Sequence, residues 1–571
     1  MKNGLNRTIH SINAAALLIG AAGLLSRILG IVRDRLLAAH FGASRALDIY
    51  YAAFQIPDFL FTVFLLGAAS AAIIPILIDV EETSTAEARR FIRELATIFF
   101  IGSLVVWLVA VLLAPILASH LAPGFAQSDR TLVVMLTRIM MLSPVLLGLS
   151  NIVSSVLQSH RRFVSFALSS IFYNIGIIFG IAVFLPLWGL AGLGAGVIMG
   201  AALHLLIQVP ALYSLGFGFP LAWPTFLTRG LSHPIKKVIL VSLPRVIAIS
   251  ASNISDIALV AIASTIAPGS ITVFKFADNL RFVPIGLFGV SFAVAAFPSL
   301  SAARARGSAH EFYANFFGTF RSILFWILPI AVFFYVLRAQ IVRVALGAGN
   351  FSWHDTRLTA AVLGILTIAI LAESLSSLLI RSFYALGNTT TPLFINVTTA
   401  IIAVGTGLFF TRVFLGNQNN PLFMFLVRIL HVEGVGGSAI LGVALGAAVG
   451  GVLDFLFLFR GLRRAMRVRF GPHDGDADAD IRDMLVMCAS SLAAGLAAYG
   501  MLRVANELVT LDRFSGVLIQ GAAASLAGCA VYGGMLYLAG NREIRHLIHV
   551  CRRHMFRMRV LPEQWGNEEM Q

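Results

Sequence analysis

The chain has 571 residues, of which 58% are hydrophobic and only 12% charged, and its formal net charge is +15. Soluble domains are about 45–50% apolar and about 25% charged, so a soluble globular domain is excluded and a polytopic membrane protein is indicated. The positive charge does not mark a nucleic-acid binder, because the arginines are scattered among apolar segments and form no single stripe interleaved with aromatics.

At the amino terminus Lys2, Arg7 and His10 precede an apolar run, as in the first half of a signal peptide. The run continues without a clear stop into Ser26–Asp34, so the segment is expected to remain as the first span. Apolar segments then predict an all-α protein with about fourteen spans of about 20 residues or more. They fall at 11–37, 46–80, 94–118, 131–157, 164–186, 190–215, 237–264 and 271–301, and then at 313–337, 358–385, 392–414, 437–459, 483–505 and 514–539. Alternate connections carry Arg89, Arg90 and Arg93; Arg161 and Arg162; Arg229, Lys236 and Lys237; Arg304 and Arg306; and Arg460 to Arg469. By the positive-inside rule both termini are cytoplasmic and the span count is even; the connection near Arg338, Arg343 and Arg357 runs against the pattern.

Late in the chain, Asp474 to Asp480 reads as a solvated loop. Cys488, Cys529 and Cys551 have neither metal-ligand spacing nor a disulfide framework and read as inert packing residues. Beyond Gly540, Ile544, Leu547, Ile548, Cys551 and Met555 share one helical face, with Arg545, Arg552 and Arg553 elsewhere. An interfacial helix on anionic lipid and a plain soluble tail both fit. The expected division is an amino-terminal lobe at 1–215, a carboxy-terminal lobe at 216–465, two additional spans at 466–540 and a basic cytoplasmic tail at 541–571.

Tyr50–Leu77 can be laid over Val273–Leu300 at a constant offset that pairs Pro75 with Pro298. Such self-similarity suggests two bundles of related topology around a central cavity; chance likeness between apolar helices is the plain alternative. Gly192, Gly196 and Gly200, and again Gly442, Gly446 and Gly450, put small residues on one face for close helix packing. Pro57, Pro75, Pro244, Pro284 and Pro298 allow bends or static kinks within spans.

The chemistry is narrowed by what the motifs lack. The lysines are Lys2, Lys236, Lys237 and Lys275, and none follows a glycine, so no phosphate-cradling loop of a nucleotide motor is present. Metalloprotease spacing and a nucleophile elbow are missing as well, which leaves hydrolytic enzymes little support. No cofactor and no metal site are expected. The charges inside the spans are the sharper signal: Arg27, Arg33, Asp34, Asp48 and Asp58 in the first bundle, then Arg245, Asp256, Lys275, Asp278 and Arg281 in the seventh and eighth spans. An arginine at the bilayer centre costs about 2.5–3.5 kcal/mol on insertion scales, so such residues usually face a polar cavity. The planar guanidinium fork suits bidentate binding of phosphate oxygens. Ion pairs that only lock helices together are the competing explanation.

Three stretches carry a family resemblance. Leu25-Ser-Arg-Ile-Leu-Gly-Ile-Val-Arg-Asp34, followed by Phe41-Gly-Ala43, Asp48 and Phe54-Gln-Ile-Pro57, resembles the amino-terminal signature of the MurJ (MviN) lipid II flippase family. Phe276-Ala-Asp278 leading to Phe297-Pro-Ser-Leu300, and Arg381-Ser-Phe-Tyr-Ala-Leu-Gly-Asn-Thr-Thr-Thr-Pro392, are similar to its eighth span and its tenth-to-eleventh connection. The resemblance extends in order to about residue 465.

The resemblance implies the fold of the multidrug/oligosaccharidyl-lipid/polysaccharide exporter superfamily: two six-helix lobes around a central cavity, plus two carboxy-terminal helices. It implies a non-enzymatic transporter in the bacterial inner membrane that moves undecaprenyl-diphosphate-linked glycopeptide to the outer leaflet by alternating access. Membrane lipids and cell-wall synthesis proteins are the other implied partners. Arg27, Arg33, Asp34 and Asp48 match positions of the family's cavity. Two departures stand out: Phe61 and Asn279 occupy positions where the family has cavity arginines, with Arg281 and Arg245 as candidate replacements. Leu259, Gly407 and Thr411 align with a sodium site of some relatives, so sodium coupling is not expected. A flippase for another polyprenyl-linked glycan, a cation-coupled drug exporter and a non-transporting scaffold are the rival functions.

Overall fold

A computed structural model describes residues 12–67, 70–218, 230–471, 477–508 and 513–549, with side chains described except at 12–17, 64–67, 70–72, 241–249, 251–252 and 477–481. Among these residues every regular element is helical. In chain order the helices are α1 (Ile12–Phe41), α2 (Arg45–Gly67), α3 (Ser70–Thr83), α4 (Thr85–Leu121), α5 (Gln127–Met140), α6 (Leu142–Ser159) and α7 (Phe163–Phe179). There follow α8 (Leu190–Leu206), α9 (Val209–Ser214), α10 (His233–Ala263), α11 (Ser270–Pro284), α12 (Ser291–Ala305), α13 (Ala309–Val336) and α14 (Arg338–Leu346). The last are α15 (Trp353–Ala385), α16 (Thr390–Gly416), α17 (Pro421–Ile429), α18 (Ile440–Phe470), α19 (Ala477–Leu508) and α20 (Phe514–Leu538). A π-helical stretch, Ile285–Val290, joins α11 to α12 just after Pro284.

Eleven helices among the described residues are long and apolar enough to cross a membrane, and the chain is a multi-pass membrane protein. The other three expected spans are α1, α2 with α3, and α10, which are comparably long but carry internal charges or side chains outside the described set. Matching serine caps open α4 and α13: Ser84 accepts from the Glu87 amide at 3.4 Å and Ser308 from the Glu311 amide at 3.3 Å. Both are Ser-x-x-Glu starts, in which the hydroxyl satisfies an otherwise orphaned amide of the first turn.

The contacts form two compact units that interleave along the chain. The first holds Met1–Ala277, Ala345–Val362 and Asn396–Ala447; the second holds Asp278–Val344, Leu363–Ile395 and Ala448–Gln571. In the first unit one apolar core gathers Ile73, Phe91, Leu95, Ile152, Val156 and Leu212. The glycine rows do the packing work read from the sequence. A Cβ on Gly200 would sit 2.5 Å from the Tyr173 carbonyl oxygen, and one on Gly442 would sit 2.5 Å from the Thr411 nitrogen, so the backbones of α7 and α8, and of α16 and α18, touch directly.

The second unit is centred on Phe312, Phe316, Ile323, Leu378, Phe383 and Leu462. Here the structure revises the tail: Ile544 and Leu547 pack against this core, and the Ser322 hydroxyl donates to Glu543 at 3.3 Å, so residues 542–549 dock on protein. Asn541, buried and accepting from the Glu543 amide at 3.0 Å, starts that helix. Cys551 and Met555 lie outside the described residues, as do residues 474–476, whereas the rest of the expected loop, 477–480, is the first turn of α19. Cys488 and Cys529 are exposed on helix surfaces and not packed within the protein, because α19 and α20 pair through other faces.

Candidate functional site

Charge in the first unit is concentrated where α1, α2, α7 and α11 come together. Asn174 of α7 donates to the Ser26 carbonyl at 3.2 Å and to its hydroxyl at 3.1 Å, while the Ser26 hydroxyl donates to the Ser170 carbonyl at 3.1 Å. These bonds fix the turn of α1 that carries Arg27, which is partly buried. Two turns on, Arg33 donates from Nε and Nη2 to Oδ1 of Asp34 at 2.9 and 2.8 Å. Only 23% of the Arg33 side chain and 8% of the Asp34 side chain are exposed. Successive helical residues normally diverge; the long arginine stem is what lets the guanidinium reach back to its neighbour's carboxylate.

Around this pair stand Tyr50, Tyr51 and Tyr173, all within electrostatic reach of Arg33. Tyr50 and Tyr51 are themselves packed edge to face, with Tyr51 against Phe276 and Phe276 against Phe351. Asp58 lies within reach of both Arg33 and Lys275. The centre therefore holds two bases, two acids and three phenols, an arrangement able to bind an anion while keeping each charge compensated.

Asp48 sits elsewhere. It is fully buried, and its carboxylate accepts from the Gly269 amide at 2.6 Å, the Thr272 amide at 2.8 Å and the Thr272 hydroxyl at 2.8 Å. It thus caps the start of α11 from another helix, where the amides and helix dipole favour negative charge. Asp48 meets a helix N-terminus, with no arginine among these hydrogen-bond partners and Arg45 within electrostatic reach.

The cap belongs to a larger clasp at one end of the unit. Asn350 donates its amide to the Ala39 carbonyl at 2.9 Å and its side chain to the His40 carbonyl at 2.7 Å. The Ala43 amide approaches Asp355 at 3.4 Å, the Gly124 amide reaches the Ser264 hydroxyl at 3.2 Å, and Arg357 Nε reaches the His431 carbonyl at 2.9 Å. Gly42, at φ +61°, is required here, since a Cβ would lie 2.7 Å from the Asn350 carbonyl oxygen. The Arg45 guanidinium lies over the Phe125 ring, 4.4 Å from its centroid.

The second unit contains its own arginine centre. Arg281 of α11 donates from Nε and Nη2 to Asp278 at 3.1 and 2.6 Å, and from Nη1 to Glu373 of α15 in a very short contact. Glu373 was not singled out in the sequence, although a lone carboxylate amid the apolar run Ile-Leu-Ala-Glu-Ser-Leu was the available signal. Asn279, next to Asp278, is partly buried, and the side chain of Arg245 lies outside the described residues. Arg27, Arg33, Asp34 and Asp48 thus belong to one unit and Asn279 and Arg281 to the other. Leu259 packs directly on Gly407, where a Cβ would come within 2.9 Å of the leucine methyl.

The comparisons with known proteins agree with this architecture. Residues 37–417 match the family model described as lipid II flippase MurJ. A probable lipid II flippase MurJ from Rhizobium tropici is 27% identical over 95% of this chain and 96% of its own length. The lipid II flippase MurJ of Burkholderia cenocepacia is 28% identical over 79% of this chain and 83% of its own. Among solved structures, a lipid II flippase MurJ in an inward closed conformation superimposes with a TM-score of 0.70 at 24% identity, covering 93% of this chain and 100% of that one. An inward-facing multidrug transporter of the MATE family and MOP superfamily gives 0.61 at 15% identity, covering 78% and 95%. The family model covers well over half of the sequence, and the chain belongs to the lipid II flippase MurJ family.

Proposed function

We propose that this protein translocates lipid II, the undecaprenyl-diphosphate-linked peptidoglycan precursor, from the inner to the outer leaflet of the bacterial inner membrane. The observation that carries the reading is the Arg33–Asp34 pair: a guanidinium held by one carboxylate inside an apolar helix, ringed by phenols. Arg27 and Arg33 bind the diphosphate, and Asp34 orients Arg33 by occupying its Nε edge. Arg281 and Arg245 add positive charge, Asn279 contributes a polar contact, and the polyprenyl tail stays in lipid. The protein moves its passenger without altering it chemically. Both termini face the cytoplasm, in keeping with the arginine-rich connections, and the lobes divide near residues 215 and 465.

Alternating access follows if the passenger binds the inward- and outward-facing states with different affinity, since only a difference in affinity shifts a population. The Asp48 cap and the Asn350 bonds belong to the end opposite the arginine-rich connections, so they act as a latch on the external side. Opening that side requires the α11 amides to leave Asp48. Depletion of the protein in its host, with rescue by plasmid-borne variants, tests the function. Lipid II accumulates in the inner leaflet if the reading holds; hypersensitivity to cationic drugs with normal wall synthesis contradicts it.

A further inference from the structure

Arg281 divides its donors between two helices, and the division is unequal in kind. Asp278 is three residues back on α11, so it travels with Arg281 wherever that helix goes. Glu373 belongs to α15, so its bond to Arg281 is a tie between helices. The Arg281 side chain is 11% exposed, whereas those of Asp278 and Glu373 are 23% and 29% exposed. The arginine is therefore the covered member, reached from the carboxylate side.

Two glycines bring the surrounding backbones onto this point. A Cβ on Gly451 of α18 would lie 3.1 Å from Glu373 Oε1, and a Cβ on Gly289 would lie 2.6 Å from the Ser374 Cα. Pro284 separates Arg281 from the π-helical stretch Ile285–Val290, which carries Gly289. Irregular turns of this kind bend helices and recur at functional positions. Residues 373 and 374 are thus the place where α11, its π-helical continuation, α15 and α18 meet, within one compact unit.

We propose that Glu373 is a resident counter-anion for Arg281, which the diphosphate of the passenger displaces during transport. This rests on the proposed lipid II reading and names a positioning residue for it. Phosphate oxygens and carboxylates compete for the same guanidinium fork, so an empty protein keeps Arg281 compensated by Glu373, and a loaded one substitutes the head group. Exchange releases α15 from α11 beside the π-helical stretch while Asp278 keeps its place. Binding and the loosening of a helix contact are then one event, and the head-group charge becomes a signal to the fold.

The test compares wild type, Glu373→Gln and Glu373→Asp in proteoliposomes, measuring lipid II affinity and translocation rate across a lipid II titration, with thermal unfolding of each variant. Glu373→Gln, freed of competition, lowers the KM for lipid II by about tenfold, the scale of one charge-assisted hydrogen bond, and lowers the maximal rate. Glu373→Asp stays near wild type in both. Gly451→Ala, which crowds the same carboxylate, shifts KM in the same direction by less, and it carries the test if the glutamine variant does not fold. A raised or unchanged KM in Glu373→Gln, or an unchanged KM in Gly451→Ala where that variant stands in, overturns the proposal while leaving the lipid II reading intact. Wild-type protein that neither binds nor moves lipid II overturns that reading and the proposal together.

Discussion

Arg33 and Arg281 both sit in apolar helices with a carboxylate close by in sequence, yet their surroundings are built on different plans. Arg33 hydrogen-bonds a carboxylate of its own helix, with phenols and Asp58 of α2 within electrostatic reach. Arg281 takes one carboxylate from its own helix and a second from α15. In the first plan the hydrogen-bonded partner lies on the same helix; in the second one hydrogen-bonded partner belongs to another helix, so neutrality depends on helix position. On the proposed reading, the first plan suits a binding group that stays in place and the second a group that changes partners.

Removing each arginine separates the two plans. Arg33→Ala takes from Asp34, which is 6% exposed, the two hydrogen bonds of Arg33, and weakening the compensation of a buried charge costs up to about 3–5 kcal/mol. The expected result is loss of complementation with a lowered unfolding temperature, while Arg33→Lys restores stability but only part of the transport, since an ammonium lacks the bidentate fork.

Next in size is Asp48→Ala, which strips the Gly269 and Thr272 amides and the Thr272 hydroxyl of their acceptor. A loss of about 3 kcal/mol is expected for orphaned buried donors, and a disulfide engineered between α2 and the start of α11 should form less readily in Asp48→Asn than in wild type. Equal crosslinking would show that the cap does not hold this end together.

Arg281→Ala should be milder in stability than Arg33→Ala, about 2 kcal/mol, because its two carboxylates are partly solvated. If thermal unfolding ranks the two arginines the other way, the contrast between the centres fails. The smallest effects belong to the caps: Ser84→Ala and Ser308→Ala should each lose about 1 kcal/mol and leave lipid II transport unchanged, which provides the baseline for reading the other variants.

Much of this was legible in the sequence because the governing interactions are local. Span placement follows from hydropathy, and the close packing of the glycine rows from small-residue spacing. What escaped involves partners far apart in the chain. Nothing near Asp48 indicates that Gly269 and Thr272 will meet it, since the amides of a helix start leave no mark on side-chain pattern. Glu373 likewise gains meaning only when α15 packs beside α11. The tail shows a third limit: the apolar face of Ile544 and Leu547 was visible, but whether lipid or protein covers it depends on the second unit's core.

The central claim is that Arg33 grips an anionic passenger within the membrane. Its most direct test is translocation of fluorescent lipid II in proteoliposomes by wild type, Arg33→Lys and Arg33→Ala, normalised to folded protein. The account predicts clear transport by wild type, a reduced rate for lysine and none above background for alanine. Wild-type translocation by folded Arg33→Ala would contradict it.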